Sequence, residues 1–210
     1  MYKKLIIVFE GIEGSGKSYH MQNISNYLKK NKIKFIKIRE PGGSLNSEKI
    51  RKLILNKNSK FNKFTDFLLY MAARNENLNN IIFKNYKKKI ILIDRFLDST
   101  IAYQHYGMGV NLKAIKYIND LILKNIKIDF TFLNLVNRKN LNLRLKKRKN
   151  LNRYDQFNFN FYSKTQNGFL KLAKNKRNYL IIDSNLPIAF NKKIILHKFI
   201  KLIQKWTLIQ

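Results

Sequence analysis

Residues 11–18 read Gly11-Ile12-Glu13-Gly14-Ser15-Gly16-Lys17-Ser18 and fit the spacing G-x-x-x-x-G-K-[ST]. An apolar run, Leu5–Phe9, precedes them, and a helical pattern, His20–Leu28, follows. The chemistry explains the residue types. Glycines let the chain curl until successive N–H groups face inward as an anion nest, and the helix N-terminus behind adds its positive dipole end. Lys17 is placed to bridge outer phosphates, and Ser18 to offer a hydroxyl to Mg²⁺. With no ligand bound, Lys17 is expected to point into an open, solvated cradle. The alternative is a glycine-rich turn that matches by chance, and the order strand, loop, helix weighs against it.

Outward from this loop, short apolar runs alternate with longer amphipathic stretches. Leu5–Phe9, Lys34–Ile38, Ile90–Ile93, Ile128–Leu135 and Tyr179–Ile182 are rich in Ile, Phe and Val, as suits strands buried on both faces of a parallel sheet. Helical patterns cover about 17–31, 47–56, 64–86, 111–124, 137–149, 156–176 and 191–205. Five strands separated by helices predict an α/β protein of the P-loop NTPase fold, a five-stranded parallel sheet flanked by helices. With only two prolines and no Pro/Ser-rich linker or repeat, residues 1–210 are expected to form a single domain. Residues 145–160 mix Lys, Arg, Asn and Phe without periodicity and are expected to form a short lid.

Composition sets further bounds. The chain has 210 residues, 43 Lys and Arg against 12 Asp and Glu, a formal charge of +31, and no cysteine. Thiolate metal sites, disulfides and a cysteine nucleophile are therefore excluded. The apolar run near the N-terminus meets a charge at Glu10, too soon for a signal segment or a membrane span, so a soluble cytoplasmic protein is expected. A charge this high conventionally suggests nucleic acid. Yet 34 of the basic residues are Lys and 28 residues are Asn, both encoded by A/T-rich codons, and the basic residues are spread along the chain. Mutational drift accounts for this without a specific nucleic-acid partner. Scarce acids then carry information by their positions.

One such acid is Asp94, which ends the apolar run Lys89–Ile93 and is followed by Arg95. An acid there suits Mg²⁺ held opposite a phosphate loop; a strand-end Asp capping the next turn is the other reading. Three segments then act together: Phe9-Glu10 running into the phosphate loop with Glu13 inside it, Arg39-Glu40-Pro41-Gly42-Gly43-Ser44 with Arg51 beyond, and Asp94-Arg95-Phe96-Leu97-Asp98-Ser99-Thr100-Ile101-Ala102-Tyr103-Gln104. These resemble the thymidylate kinase family, which phosphorylates dTMP to dTDP. Tyr70-Met71-Ala72-Ala73-Arg74 is similar to its aromatic-x-x-x-Arg helix, and Arg144, Arg148 and Arg153 to its lid. Five of the twelve acids fall within the three segments.

The resemblance implies roles. Gly11, Ile12, Glu13, Gly14, Ser15, Gly16, Lys17 and Ser18 would hold ATP, with Ser18 and Asp94 on Mg²⁺. Arg51 and Arg95 would neutralise the dTMP phosphate, in a pocket shaped by the loop that Arg39 begins. Tyr70 would stack on the thymine, with Arg74, Thr100 and Gln104 at its edges. Tyr103 would crowd the 2′ position and Glu13 would lie near the sugar hydroxyl and acceptor phosphate. Catalysis would fall to Lys17, Arg95, Glu13 and the lid arginines Arg148 and Arg153, without a covalent intermediate. A homodimer is also implied. Taken singly, Tyr70, Thr100 or Gln104 could be a plain packing residue, but their joint spacing weighs against that. The chain departs from the family pattern at Phe96, where Tyr is common, at Tyr19, where a small hydroxyl residue is usual, and at Asn152-Arg153-Tyr154-Asp155, where Asp-Arg-x-Glu is usual and lid closure is at stake. Another P-loop nucleoside or nucleotide kinase, and a nucleic-acid-stimulated ATPase, remain the alternatives.

Overall fold

A computed structural model describes residues 4–149 and 151–208; residues 1–3, 150, 209 and 210, which include one position of the expected lid, lie outside the described residues. Five strands, β1 (Ile6–Glu10), β2 (Phe35–Arg39), β3 (Ile90–Asp94), β4 (Phe130–Leu135) and β5 (Tyr179–Asp183), form one parallel sheet in the order β2-β3-β1-β4-β5. Between them run α1 (Lys17–Lys30), α2 (Leu45–Leu55), α3 (Lys63–Asn77), α4 (Phe83–Asn85), α5 (Leu97–Thr100), α6 (Leu112–Leu123), α7 (Arg138–Lys146) and α8 (Phe159–Ala173), and α9 (Ile188–Leu208) follows β5.

The central strand shows why apolar runs become strands here. Leu5, Ile7 and Phe9 pack with Ile24, Leu28 and Phe199 on one face, while Ile6 and Val8 pack with Ile38, Leu78 and Ile93 on the other. Each fully buried aliphatic side chain contributes about 1.5–3 kcal/mol. The edge strands correct the expectation of burial on both faces. In β2 and β5 only Ile38 and Ile182 are buried, and Lys37, Arg39, Ile181 and Asp183 are exposed, because an edge strand has a neighbour on one side only.

Two helical expectations also need correction. The pattern over 64–86 is not one helix: α3 gives way to a π-helical turn at Leu78–Ile82 before α4. Residues 97–107, assigned no helix from sequence, are helical throughout, α5 running into a π-helical stretch at Ile101–Gly107. In the expected lid, α7 ends at Lys146 and a short 3₁₀ turn occupies Arg153–Gln156. Parallel strands point their C-terminal ends the same way. Register pairs Phe9 and Arg39 with Asp94, so the exits of β1, β2 and β3 share one rim, where this fold gathers its ligands.

Candidate active site

The phosphate loop closes on that rim. Gly11 has φ +134°, and a Cβ there would sit 2.2 Å from the carbonyl oxygen of Asn134, so no side chain fits. The start of α1 carries no side-chain cap and no acid in its first turn, whereas α2, α3, α6, α7 and α8 are capped by Ser44, Asn62, Asn111, Asn137 and Asn158. Its orphan N–H groups are thus left for an external anion. Lys17 corrects the expectation of an open cradle. It is 6% exposed, and its Nζ donates to the carbonyls of Gly11 (2.9 Å) and Ile12 (2.8 Å). Burial, with the Arg95 charge beside it, pushes the Lys17 ammonium down to about 8.

Ser18 Oγ donates to Asp94 Oδ2 at 2.8 Å, and Asp94 Oδ1 is buried without a partner among the described residues. Next to it Arg95 adopts φ +68°, which turns its side chain back over the loop. Arg95 donates to the Gly11 carbonyl (2.8 Å), to Tyr103 Oη (3.1 Å) and to Glu13 Oε1 (2.9 Å), and its guanidinium lies 5.0 Å from the Tyr103 ring centroid. Tyr103 Oη in turn donates to Glu13 Oε2 at 2.5 Å. Burial acts to raise the Glu13 carboxyl, but the charges of Arg95 and Lys17 outweigh it and hold it below the usual range. The Arg95 turn is anchored from below by Glu10, whose carboxylate accepts from Phe96 N (2.8 Å), Ser99 N (3.2 Å) and Ser99 Oγ (2.5 Å).

From the phosphate loop a cavity of about 410 Å³ runs outward, with Lys17, Ser18, Asp94 and Arg95 at one end and Tyr70, Thr100 and Gln104 at the other. Glu13, Gly14, Gly16, Arg39, Arg51, Arg74, Tyr103 and Arg148 also line it. Gly11, Ile12 and Ser15 lie behind the lining, as the loop's backbone support. Arg39 clasps Glu48 through Nε and Nη2 (3.0–3.2 Å), and Arg51 donates to the Pro41 carbonyl at 2.5 Å. Burial raises the Tyr70 phenol to about 12, so it stays neutral.

Arg74 is more committed than a base-edge reader need be. It donates to Glu40 Oε2 (2.7 Å), Asn119 Oδ1 (2.7 Å), the Phe96 carbonyl (2.9 Å) and Thr100 Oγ1 (2.9 Å), and it lies over the Phe96 ring at 5.0 Å. Four of its five N–H groups are thereby used. It welds the wall that carries Thr100.

The lid is docked over the cavity. Arg144 donates to the carbonyls of Gly14 (2.7 Å) and Ser184 (2.6 Å). Asn152 caps the 3₁₀ turn, Asp155 Oδ2 accepts from Asn152 N (2.8 Å), and Arg148 pairs with Asp155. Arg153 stands apart from the cavity: it pairs with Asp66 of α3 and lies near the Phe61 and Tyr154 rings. Tyr154 enters the cavity wall beside Leu145, Arg148 and Asn152, set edge-on to Tyr70 and Tyr103.

A family model described as Thymidylate kinase matches residues 9–195. The chain belongs to the thymidylate kinase family. Among similar proteins, the thymidylate kinase of Thermosipho africanus is 38% identical over 88% of this chain and 92% of its own length. That of Prochlorococcus marinus is 40% identical over 83% of this chain and 87% of its own. The crystal structure of thymidylate kinase from Ehrlichia chaffeensis superposes with a TM-score of 0.72 at 31% identity, covering 97% of this chain and 99% of that one. Phosphorylation of dTMP is the reaction of thymidylate kinases, so the chain is a kinase of nucleoside monophosphates, and no described helix is long and apolar enough to cross a membrane.

Within a thymidylate kinase site, several residues here escaped the sequence reading. Asp66 is a buried acid whose rarity was the available signal, and Glu40, quoted in the Arg39–Ser44 segment, is buried too but was given no role. Arg144 was grouped with the lid arginines but given no role of its own, and Tyr154 was noted only as part of the altered lid motif, in an aperiodic run. Phe96, the family departure after Asp94-Arg95, keeps its ring fully buried beneath Arg74, where a hydroxyl would need its own partner. Tyr19 is 42% exposed at the cavity rim and so does not crowd the loop.

Proposed function

We propose that the chain transfers the γ-phosphoryl of ATP to dTMP with Mg²⁺, in line and without a covalent intermediate. The observation that carries this reading is one cavity that joins an uncapped phosphate loop to an aromatic and amide-lined wall, so that donor phosphates and an acceptor nucleotide can meet within it. The pair Ser18 and Asp94 fits a divalent cation: one carboxylate oxygen is held by the serine hydroxyl, and the other is buried with no partner among the described residues. Hard oxygen donors of this kind suit Mg²⁺, which completes its shell with waters and phosphate oxygens. When bound, the ion neutralises charge that develops between donor phosphates.

The chain's own residues do the rest. Lys17 leaves the loop carbonyls for outer phosphate oxygens. Arg95, held by Glu13 and Tyr103, sits between loop and acceptor, where the transferring group must pass. Arg51 and Arg39 supply positive charge for the acceptor phosphate, Arg148 closes from the lid, and Arg153 serves by anchoring the lid to Asp66. Tyr70 faces the base, and Tyr103 stands at the sugar. The acceptor phosphate is already an anionic nucleophile, so positioning and electrostatic stabilisation supply the catalysis. We further propose one domain acting as a cytoplasmic homodimer, with cytoplasm following from the need for nucleoside triphosphate. Exposed pairs one turn apart support the dimer: Phe64 and Leu68 on α3, and Tyr117 and Leu121 on α6, which packs beside it. The test is transfer of label from γ-labelled ATP. Label is expected in dTDP and none in the protein; labelled protein, or none in dTDP, overturns the reading.

A further inference from the structure

Asp66, Tyr154 and Gln104 come from α3, the lid and the π-helical stretch after α5, yet they form one hydrogen-bonded chain. Tyr154 Oη donates to Asp66 Oδ2 at 2.5 Å, Arg153 pairs with the other oxygen, Oδ1, and Gln104 Nε2 donates to Tyr154 Oη at 3.3 Å. Donor arithmetic fixes the direction of this chain. A charge-paired carboxylate only accepts, so the single Tyr154 proton is committed to Asp66. The phenol oxygen is then left only as an acceptor, and Gln104 must present its NH₂ group to it. Gln104 Oε1 is left as a buried acceptor with no partner among the described residues, on a residue that lines the cavity wall opposite the phosphate loop. A buried orphan acceptor is costly unless a ligand supplies a donor.

We propose that Asp66 and Tyr154 act as positioning residues that fix the Gln104 amide, so that the acceptor site takes a pyrimidine bearing a proton on N3, thymine or uracil, and refuses cytosine. The preference for a base with a proton on N3 belongs to the dTMP kinase reading, on which this rests; what is added is the pair of residues that set the amide. The N3–H of thymine meets Oε1 as a donor; the lone pair on N3 of cytosine meets it as a second acceptor. The lid supplies Tyr154, so its docking completes the base-reading wall as well as covering the phosphates. Tyr154 holds its place by packing edge-on to Tyr70 (centroids 6.0 Å) and Tyr103 (5.8 Å), with its side chain buried.

Equilibrium binding of dTMP and dCMP in the absence of ATP, together with kcat/KM for each, tests this on the wild type, Tyr154→Phe and Asp66→Asn. A mismatched hydrogen-bonding edge predicts a wild-type preference for dTMP of about 10³-fold or more. Tyr154→Phe removes the anchor of the amide and lowers the dTMP:dCMP ratio at least ~10-fold, the amide being free to turn. Asp66→Asn keeps the side-chain shape. Its oxygen remains with Arg153 and its NH₂ turns to the phenol oxygen, so the Tyr154 proton swings to Gln104 and reverses the amide. The ratio then falls at least as far, with dCMP affinity rising in absolute terms. A ratio within twofold of wild type in either variant overturns the inference while the kinase reading stands. Equal weakening of both ligands, the mark of a lid merely loosened, overturns it too. A wild type that does not prefer dTMP overturns the kinase reading, and this inference with it.

Discussion

Ser18 Oγ and Asp94 Oδ2 meet at 2.8 Å although 76 positions separate them in the chain. The parallel register of β1 and β3 sets this up: Asp94 ends β3, and the loop leaving β1 turns back so that Ser18, in the first turn of α1, meets it. If this pair holds the divalent ion, Asp94→Asn should lower kcat by ~10²-fold or more, the scale of a lost electrostatic contact in the transition state. The Mg²⁺ concentration giving half-maximal rate should rise as well. Titrating Mg²⁺ against initial rate checks this; an unchanged midpoint would separate Asp94 from the ion.

Lys17→Ala should cut phosphoryl transfer by at least ~10²-fold. Its ammonium, pushed down to about 8 by burial, gives the free enzyme a pH dependence. The charged form dominates below that value, so kcat/KM for ATP should fall as pH rises through it. Stability moves the other way. The folded pKa lies below the ordinary 10.5, so between about 8 and 10.5 the unfolded chain binds more protons. Unfolding free energy should gain from this group across that window, and urea titrations of wild type and Lys17→Ala should diverge there.

The Arg74–Glu40 and Arg39–Glu48 pairs invite a contrast. The first has side chains 2% and 4% exposed, the second 56% and 34%. Breaking a buried pair leaves an uncompensated charge, so Arg74→Ala should cost about 3–5 kcal/mol of stability. Arg39→Ala should cost under about 1 kcal/mol, being solvent-screened. Denaturant midpoints compare them directly. A small loss at Arg74 would mean that its ladder to Glu40, Asn119, Phe96 and Thr100 is replaceable.

The +31 charge makes a prediction of a different kind. If drift produced it, DNA binding should be sequence-independent and should weaken steeply between 50 and 200 mM salt (about 10³-fold for six phosphate contacts), as counterion release requires. Sequence-selective binding at physiological salt, seen in a competition assay, would give the charge a specific partner.

The parts legible in the sequence were those whose signal is local. Residues 11–18 state their own spacing, and β1 and β3 state their burial in unbroken apolar runs. The rest depends on distance. Asp66 and Tyr154 stand 88 positions apart, and no local pattern links them. Arg153, expected in the catalytic group, is drawn away by that same Asp66. Arg74, expected at the base edge, is occupied by Glu40, an acid visible in the sequence without its partner. The helical run over 97–107 escaped because its buried face is largely polar, Asp98, Ser99, Thr100 and Gln104 among it, so hydrophobic periodicity carries no signal there.

Initial rates with ATP and Mg²⁺ across dTMP, dUMP, dCMP, dGMP and dAMP test the central claim most directly. The account predicts dTMP first and dUMP next, lower by about 10–200-fold because one methyl separates them. dCMP and the purine monophosphates should be slower still. Equal turnover of purine and pyrimidine monophosphates would contradict it.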